Sequence, residues 1–511
     1  MKKYGKLLLT AFLVYIVLLV LLVFAENGSP DASIHSFWDA IWFSLITMTT
    51  VGYGDLSPVT PMGRILGLFF AFCSVGILAA LIGIGLNLLS GTVIPRFRLR
   101  LGLRQPWYAF SEENEDSAAL AEALAREDKS CLLIFPRGSA VLSNPNVVRM
   151  VFDPNGLARI RRGKDGLSMF FVGAEPWENY TQALETAESG IRSFCMADIR
   201  AEKLPPLMHL FSPMEVMSRS YWKEHPLKPG EKRIVLIGCG AAGSVLLERA
   251  LLTNIFVRGR ATEYHVFGDT SGFAALHPEL VSALTGGPAD SDRLVFHSES
   301  WTEAPELLQK ADRILLCMDE DGENLRAREL LGNWFVVPAE VHVRLRRALP
   351  GLCSFGSRSD CYAPEFVIKD ELNRRAIVMN DIYNEGSPNP VAWRDLSYFL
   401  QQSNIAAADH LIVKARYLLG DDTLTELSAD LCQEAYRRFR ELYPDHADLF
   451  QEMEHRRWLR FHQMYNWKYD PQRDNAMRHH PMILPYEDLS EAEQRKDAYA
   501  WEMLGRLSSA E

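Results

Sequence analysis

The sequence predicts an α-helical membrane pore (two helices plus a pore helix), followed by tandem α/β domains of the doubly wound type and a small, mostly α-helical C-terminal domain. Three observations carry this expectation. Long uncharged apolar runs are confined to the first hundred residues. From Trp107 short apolar runs alternate with amphipathic stretches, the pattern of βαβ units. From Ile368 the periodicity becomes helical.

A chain of 511 residues accommodates three or four domains. The formal charge of −11 argues against a general nucleic-acid partner. Eight cysteines are scattered without a C-x-x-C pair, which fits reduced cytosolic thiols better than a disulfide framework or a zinc site.

The first domain is expected over 1–95. Leu7 to Phe24 is an uncharged run of 18 residues after Lys2, Lys3 and Lys6. As a helix it measures roughly 27 Å, enough for a hydrocarbon core. The alternative is a secretory signal cleaved near Val23-Phe24-Ala25, and the second apolar run and the loop before it disfavour that reading. This second run spans Met62 to Leu89, with Arg96, Arg98, Arg100 and Arg104 behind it. The intervening loop has no Lys or Arg before Arg64, so both termini are expected in the cytoplasm. Between the runs, Phe37, Trp38, Ile41, Trp42 and Leu45 fall at helical spacing behind a candidate N-cap, Ser36. A short helix from Phe37 to Thr47 would aim its negative end at residues 49–55. Irregular backbone is tolerated at membrane depth only inside protein or along an aqueous path.

Residues 49–55 read Thr49-Thr50-Val51-Gly52-Tyr53-Gly54-Asp55. The stretch resembles the selectivity filter of potassium channels. The resemblance implies that backbone carbonyls of Thr50, Val51, Gly52, Tyr53 and Gly54, in a ring from four subunits, replace the hydration shell of K+. Gly52 and Gly54 supply the unusual backbone angles, and Trp42 and Asp55 support the filter, with Tyr53 against Trp42. Many relatives carry a pore-helix glutamate where this chain has Ile46. Their hinge glycine falls on Ser74, with Gly76 and Gly83 nearby as substitutes. No Arg-rich helix precedes the pore, so no voltage sensor is expected.

A first α/β domain is expected over 105–225, with strands at 132–135, 169–172 and 193–196, a helix at 117–127 and no glycine-rich loop. The second, over 231–350, carries a stronger signal. Arg233 to Ile237 reads as a strand, Gly238-Cys-Gly-Ala-Ala-Gly243 opens a helix, and Asp269 ends the next strand. Further strands are expected at 293–296, 314–317 and 335–337. This is the G-x-G-x-x-G arrangement in the strand–turn–helix setting of Rossmann-like domains. Gly238, Gly240 and Gly243 would admit a pyrophosphate at a helix N-terminus, and Asp269 would bond ribose hydroxyls. The rival reading is a Rossmann fold that binds nothing. Two such units behind a two-helix pore resemble the RCK or TrkA-N gating rings of prokaryotic potassium channels. The acidic run Asp319 to Glu323 is expected to be an exposed loop or a helix cap.

The last region, 370–511, contains Trp393-Arg-Asp-Leu396, Met453-Glu-His-Arg-Arg-Trp458, Asn466-Trp-Lys-Tyr469, His480-Pro481, Leu484-Pro-Tyr486 and Lys496-Asp497. The succession resembles the bacterial ryanodine-receptor (RyR) repeat domain, with Ile405 and Asn466 departing from its usual arginine and glycine. Aromatic and cationic residues, namely Trp458, Tyr465, Trp467, Tyr469 and Tyr486 with Arg456, Arg457, Arg473 and His480, would suit a planar base plus phosphate. The competing reading makes them the core of a small helical domain. For His455, His479 and His480 a structural role outweighs metal binding.

These readings converge on a non-enzymatic, homotetrameric, ligand-gated potassium channel of a bacterial inner membrane. Its permeant ion is K+, its partners are the lipid bilayer and a nucleotide-like small molecule of unknown identity, and no nucleic acid is expected. A defensive, membrane-depolarising role extends that expectation. The alternatives are a membrane-anchored NAD(P)-dependent oxidoreductase and a non-conducting nucleotide receptor.

Overall fold

The computed structural model describes residues 2–88, 91, 93–138, 140–198, 204–287 and 291–508. The chain divides into two units, 1–102 with 149–151, and 103–148 with 152–511.

In the first unit the helices are α1 (Lys2–Glu26), α2 (Phe37–Met48), α3 (Pro61–Leu88) and α4 (Ile94–Leu101). The short helix starts where the N-cap residue predicts. Ser36 Oγ accepts from Asp39 N–H, and the Asp39 carboxylate accepts from Ser36 N–H at 2.8 Å, a reciprocal capping box. Leu19, Leu22, Ala40 and Phe70 bring α1, α2 and α3 together around Ile34. Tyr15 sets its ring edge on Phe70 and its hydroxyl on Ser44. At the end of α1 the buried Glu26 carboxylate accepts from Val59 N–H, Thr60 N–H and the Thr60 hydroxyl. A side chain at Gly63 would meet that carboxylate at 1.9 Å and push it from these bonds. Among the described residues no helix is long and apolar enough to cross a membrane. The two apolar runs of the sequence extend into positions, such as 7–11 and 73–78, whose side chains lie outside the described residues.

The second unit contains two six-stranded sheets. The first consists of β1 (Trp107–Phe110), β2 (Leu132–Phe135), β3 (Val147–Arg149), β4 (Leu167–Phe171), β5 (Arg192–Met196) and β6 (Met208–Phe211), in the order β3-β2-β1-β4-β5-β6. The second consists of β7 (Arg233–Ile237), β8 (Glu263–Phe267), β9 (Arg293–His297), β10 (Arg313–Leu316), β11 (Glu340–Arg344) and β12 (Cys353–Phe355), in the order β12-β11-β10-β7-β8-β9. Counted from its own first strand, each sheet reads 3-2-1-4-5-6, the doubly wound order, and β1 and β7 pair in parallel with both neighbours.

One expected strand is corrected. Residues 335–337 are not in the sheet, and the strand lies at Glu340–Arg344 instead. Phe335 packs on Trp301, and Pro338 has no N–H to give a ladder.

The two sheets repeat one device. Asn179, in the helix after β4, bonds both backbone groups of Gly173 and the carbonyl of Met196. Asn324, in the helix after β10, bonds both backbone groups of Met318 and the carbonyl of Arg344. Each asparagine thereby fixes the carboxyl ends of two adjacent strands, next to the point where the strand order reverses and a doubly wound fold forms its binding crevice.

The C-terminal region comprises helices Arg374–Asn384, Tyr398–Leu419, Ala429–Met464 and Tyr499–Leu507. The longest contains Pro444, and non-helical angles at His446 mark its kink. Phe439, Phe450 and Trp501 form its aromatic core, with the Trp501 indole donating to the Phe450 carbonyl. His410 bonds the Ile255 carbonyl and Arg460 pairs with buried Asp292, so these helices are fastened to the second sheet.

Candidate functional site

The candidate filter begins where α2 ends. Val51 and Gly52 donate their N–H groups to the Ile46 carbonyl at 3.1 and 3.4 Å, and the Thr49 hydroxyl donates to Leu45. Thr50, Gly52 and Gly54 then have φ of 59°, 56° and 74°, while Val51 and Tyr53 between them stay in the ordinary region. This alternation is the backbone condition for successive carbonyls to face one side. Nothing lies within 4 Å of a Cβ built at Gly52 or Gly54, so glycine serves the angle and not the space. Thr50 holds its angle despite a branched Cβ, at a cost of about 1–3 kcal/mol. Trp42 stacks on Tyr53 with centroids 6.5 Å apart, and its indole N–H donates to Asp55 at 3.0 Å. Ile46, where relatives carry glutamate, is buried behind the loop. The backbone of α3 is helical through Ser74, Gly76 and Gly83, and the side-chain positions of Ser74 and Gly76 lie outside the described residues.

The glycine-rich turn forms between β7 and the helix Ala241–Thr253. Gly238 has φ of 108°, and a Cβ there would meet Met318 N at 2.6 Å. One at Gly243 would meet the Gly238 carbonyl at 2.1 Å. Both close approaches are to the protein's own backbone, so these glycines serve the packing of the turn against β10 and of the helix against the turn. The anion position is different, because it is filled from within. The Asp319 carboxylate accepts from the N–H groups of Ala241 and Ala242 at 3.1 and 3.0 Å, and a Cβ at Gly240 would collide with it. The acidic run therefore does cap a helix, one 77 residues earlier in the chain. Asp269 stands exposed beyond β8. Its Oδ1 accepts from the Ser271 hydroxyl and N–H, which hold its pKa below the ordinary value.

The aromatic and cationic residues of the C-terminal region part company. A cavity of about 370 Å³ is lined by Trp458, Arg473 and His480 together with His455, Pro481, Met482, Leu489, Glu493, Lys496 and Asp497. His480 Nδ1 accepts from Met482 N–H, which leaves the proton on Nε2. Burial and then Arg473 depress its pKa. Burial raises the Asp497 pKa, against the nearby His455. Glu493, Lys496 and Asp497 lie outside the expected set; the Lys496-Asp497 piece of the family resemblance is their only signal. The remaining expected residues lie elsewhere. Arg456 donates to the Phe256 carbonyl, Arg457 is buried on Glu454, and Tyr465 lines a smaller cavity of about 160 Å³. Trp467 and Tyr486 are buried in packing, with the Tyr486 hydroxyl donating to Gln451, and Tyr469 is exposed.

Residues 7–90 match the ion channel family. A voltage-gated potassium channel of Aeropyrum pernix is 36% identical over 95 residues, 18% of this chain and 30% of the relative. The potassium channel protein shk-1 of Caenorhabditis elegans is 48% identical over 56 residues, 11% of this chain and 10% of the relative. The chain thus spans less than a third of the curated relatives it matches. Two solved structures of a channel called GsuK, one bound to ADP and one to NAD, each align with 72% of this chain at 14% and 12% identity. They are covered over 98% and 83% of their length, with TM-scores of 0.35 and 0.31. Residues 7–90 are thus similar to the ion channel family and to potassium channels in particular, and parallel α/β sheets come after them.

Proposed function

We propose that the chain is a potassium-selective channel subunit, working as a homotetramer in a bacterial inner membrane and gated by a small nucleotide-like ligand. The observation that carries the reading is the filter backbone, with left-handed angles at Thr50, Gly52 and Gly54 and ordinary ones between. In the potassium-filter arrangement such loops come from four subunits and surround the ion, which supports a tetramer. Exposed Val51 and Tyr53, and exposed Phe12, Val17, Ile65 and Phe72 on α1 and α3, supply surface for other subunits and for lipid.

The ligand site we favour is the cavity around Trp458. An aromatic face, the Arg473 guanidinium and the Lys496 ammonium there suit a base and a phosphate. In this reading the C-terminal region is a RyR-type sensor. Nucleotide binding at Gly238, Gly240, Gly243 and Asp269 would first require Asp319 to leave the helix. The ligand gates only insofar as it binds open and closed states with different affinity. Depolarisation in defence of the cell is one use of such a channel.

The test is ion flux from liposomes containing the purified full chain. Potassium should pass and sodium should not, with flux lost in Gly52→Asp and altered by at least one nucleotide of a mono- and diphosphate panel. Folded wild-type protein carrying no potassium-selective flux under any of these conditions would leave the non-conducting receptor as the better reading. Turnover of NAD(P)H with a carbonyl substrate would favour the oxidoreductase.

A further inference from the structure

We propose that His225, His342 and Cys353 form a binding site for a zinc-class divalent transition metal ion, joining the end of the first sheet's last helix to the edge of the second sheet. His342 on β11 and Cys353 on β12 are direct partners in the parallel register, so their side chains rise from the same face. Cys353 Sγ lies 3.3 Å from His342 Nδ1. His225 closes the helix Pro213–Glu224, and its ring stands 4.9 Å from that of His342, nearly perpendicular. One donor atom from each of the three falls within 4.8 Å of the others. A tetrahedral ion with bonds of about 2.0–2.3 Å separates its ligands by roughly 3.3–3.8 Å. Small side-chain rotations close the difference.

The surroundings add a second, independent argument. His342 turns Nδ1 toward the thiol, and its Nε2 faces Glu340 Oε1 at 3.6 Å. A carboxylate on the far nitrogen is the arrangement that orients metal-binding histidines and raises their basicity. Lys228 holds Glu340 from the other side. The nearby cation, Arg313, is paired in bidentate fashion with Glu231 at 2.9 and 2.7 Å, which offsets part of its charge. Its guanidinium also donates to the His225 and Pro226 carbonyls, so the backbone that presents His225 is fixed in advance. Tyr221 packs against both imidazoles. His225 and Cys353 are only half-buried, which gives an ion a way in and leaves room for water as a fourth ligand.

Donor chemistry selects the ion. Two imidazoles and a thiolate suit zinc or cobalt and not calcium or magnesium. Binding releases the thiol proton to solvent as the sulfur–metal bond forms.

The experiment uses the full chain, stripped with chelator and titrated with Co2+. We expect one cobalt per chain and a thiolate-to-cobalt charge-transfer band that Zn2+ displaces. Cys353→Ser should remove the band, and His225→Ala or His342→Ala should weaken Co2+ by at least about tenfold. In the wild type, which needs no variant to fold, Zn2+ should protect Cys353 from alkylation as read by mass spectrometry of its peptide. The absence of a band, a band that survives Cys353→Ser, or alkylation of Cys353 unaffected by Zn2+ would each overturn the proposal.

Discussion

The carboxylate of Asp319 lies 3.0 Å from the backbone N–H of Ala242, with a second bond to Ala241, on the helix end where a Rossmann-like fold would receive a phosphate. A fixed carboxylate there satisfies two orphan N–H groups and complements the helix dipole, as a phosphate would. Bound anions must displace it. Asp319→Ala should therefore raise ADP affinity at least tenfold by titration calorimetry, while thermal stability falls by about 1 kcal/mol for the lost cap. Unchanged ADP affinity in a folded variant would mean that the turn is no phosphate site. Gly240→Ala should not raise ADP affinity, because its Cβ would stand against the position that the Asp319 carboxylate, or a phosphate in its place, takes up.

The bond from Trp42 to Asp55 braces the filter from outside. Trp42→Phe keeps an aromatic face for Tyr53 and deletes only the donor. The loss is about 1 kcal/mol, enough to loosen a strained loop without unfolding the helices. Flux assays should report a several-fold fall in potassium-over-sodium preference, with the melting temperature nearly unchanged. Retention of full selectivity would show that stacking alone holds the filter.

Legibility in the sequence tracks the range of the interactions. The filter, the Ser36 cap and the Gly238 turn are made by residues within about a dozen positions of one another, and each carries its physics in its own letters. The Asp319 cap reaches back 77 residues, and the His225, His342 and Cys353 cluster joins three separate elements with no motif spacing. The apolar stretch 335–337 looks like a strand, yet the sheet takes Glu340–Arg344, whose central His342 and Val343 are buried. In the C-terminal region composition indicates an aromatic, basic site but not its membership. Whether an arginine faces a cavity or a buried glutamate depends on helix packing that a single sequence does not print.

Asn179 and Asn324 make equivalent predictions in the two sheets. Each is buried and holds three backbone groups. Alanine at either position strands those groups without solvent, at about 2–4 kcal/mol on the scale of unsatisfied buried polar groups. Denaturant melts of the two variants should show losses of like size. A neutral Asn324→Ala would mean that water replaces the clasp.

Glu454 lies between Lys414 and Arg457, each at 2.7 Å, with all three side chains buried. Burial alone would raise its pKa; Arg457 and Lys414 outweigh that and hold it at about 2, against an ordinary value near 4.5. The unfolded chain thus binds the proton first as pH falls. Stability from this group is complete above about pH 5 and drains away as pH drops through 4.5 toward 2. Glu454→Gln leaves two buried cations undercompensated and should cost about 3–5 kcal/mol at neutral pH. It should also flatten the acid limb of the stability curve, and an acid limb identical to wild type would assign that limb to other carboxylates.

Arg457 and Arg473 are expected from sequence in one pocket and make opposite predictions. Arg457 belongs to the buried ion group, its guanidinium bidentate on Glu454. Arg473 is an exposed residue on the cavity wall, its Nε donating to Asn475. Arg457→Ala should lower the melting temperature by the equivalent of about 3–5 kcal/mol. Arg473→Ala should leave melting within about 0.5 kcal/mol of wild type. Against a panel of nucleotides, Arg473→Ala should weaken whichever compound alters flux by about tenfold, the loss of one charge-assisted contact to phosphate. A ligand response intact in Arg473→Ala and also in Trp458→Ala would remove this cavity from the gating account and return attention to the Asp319 turn.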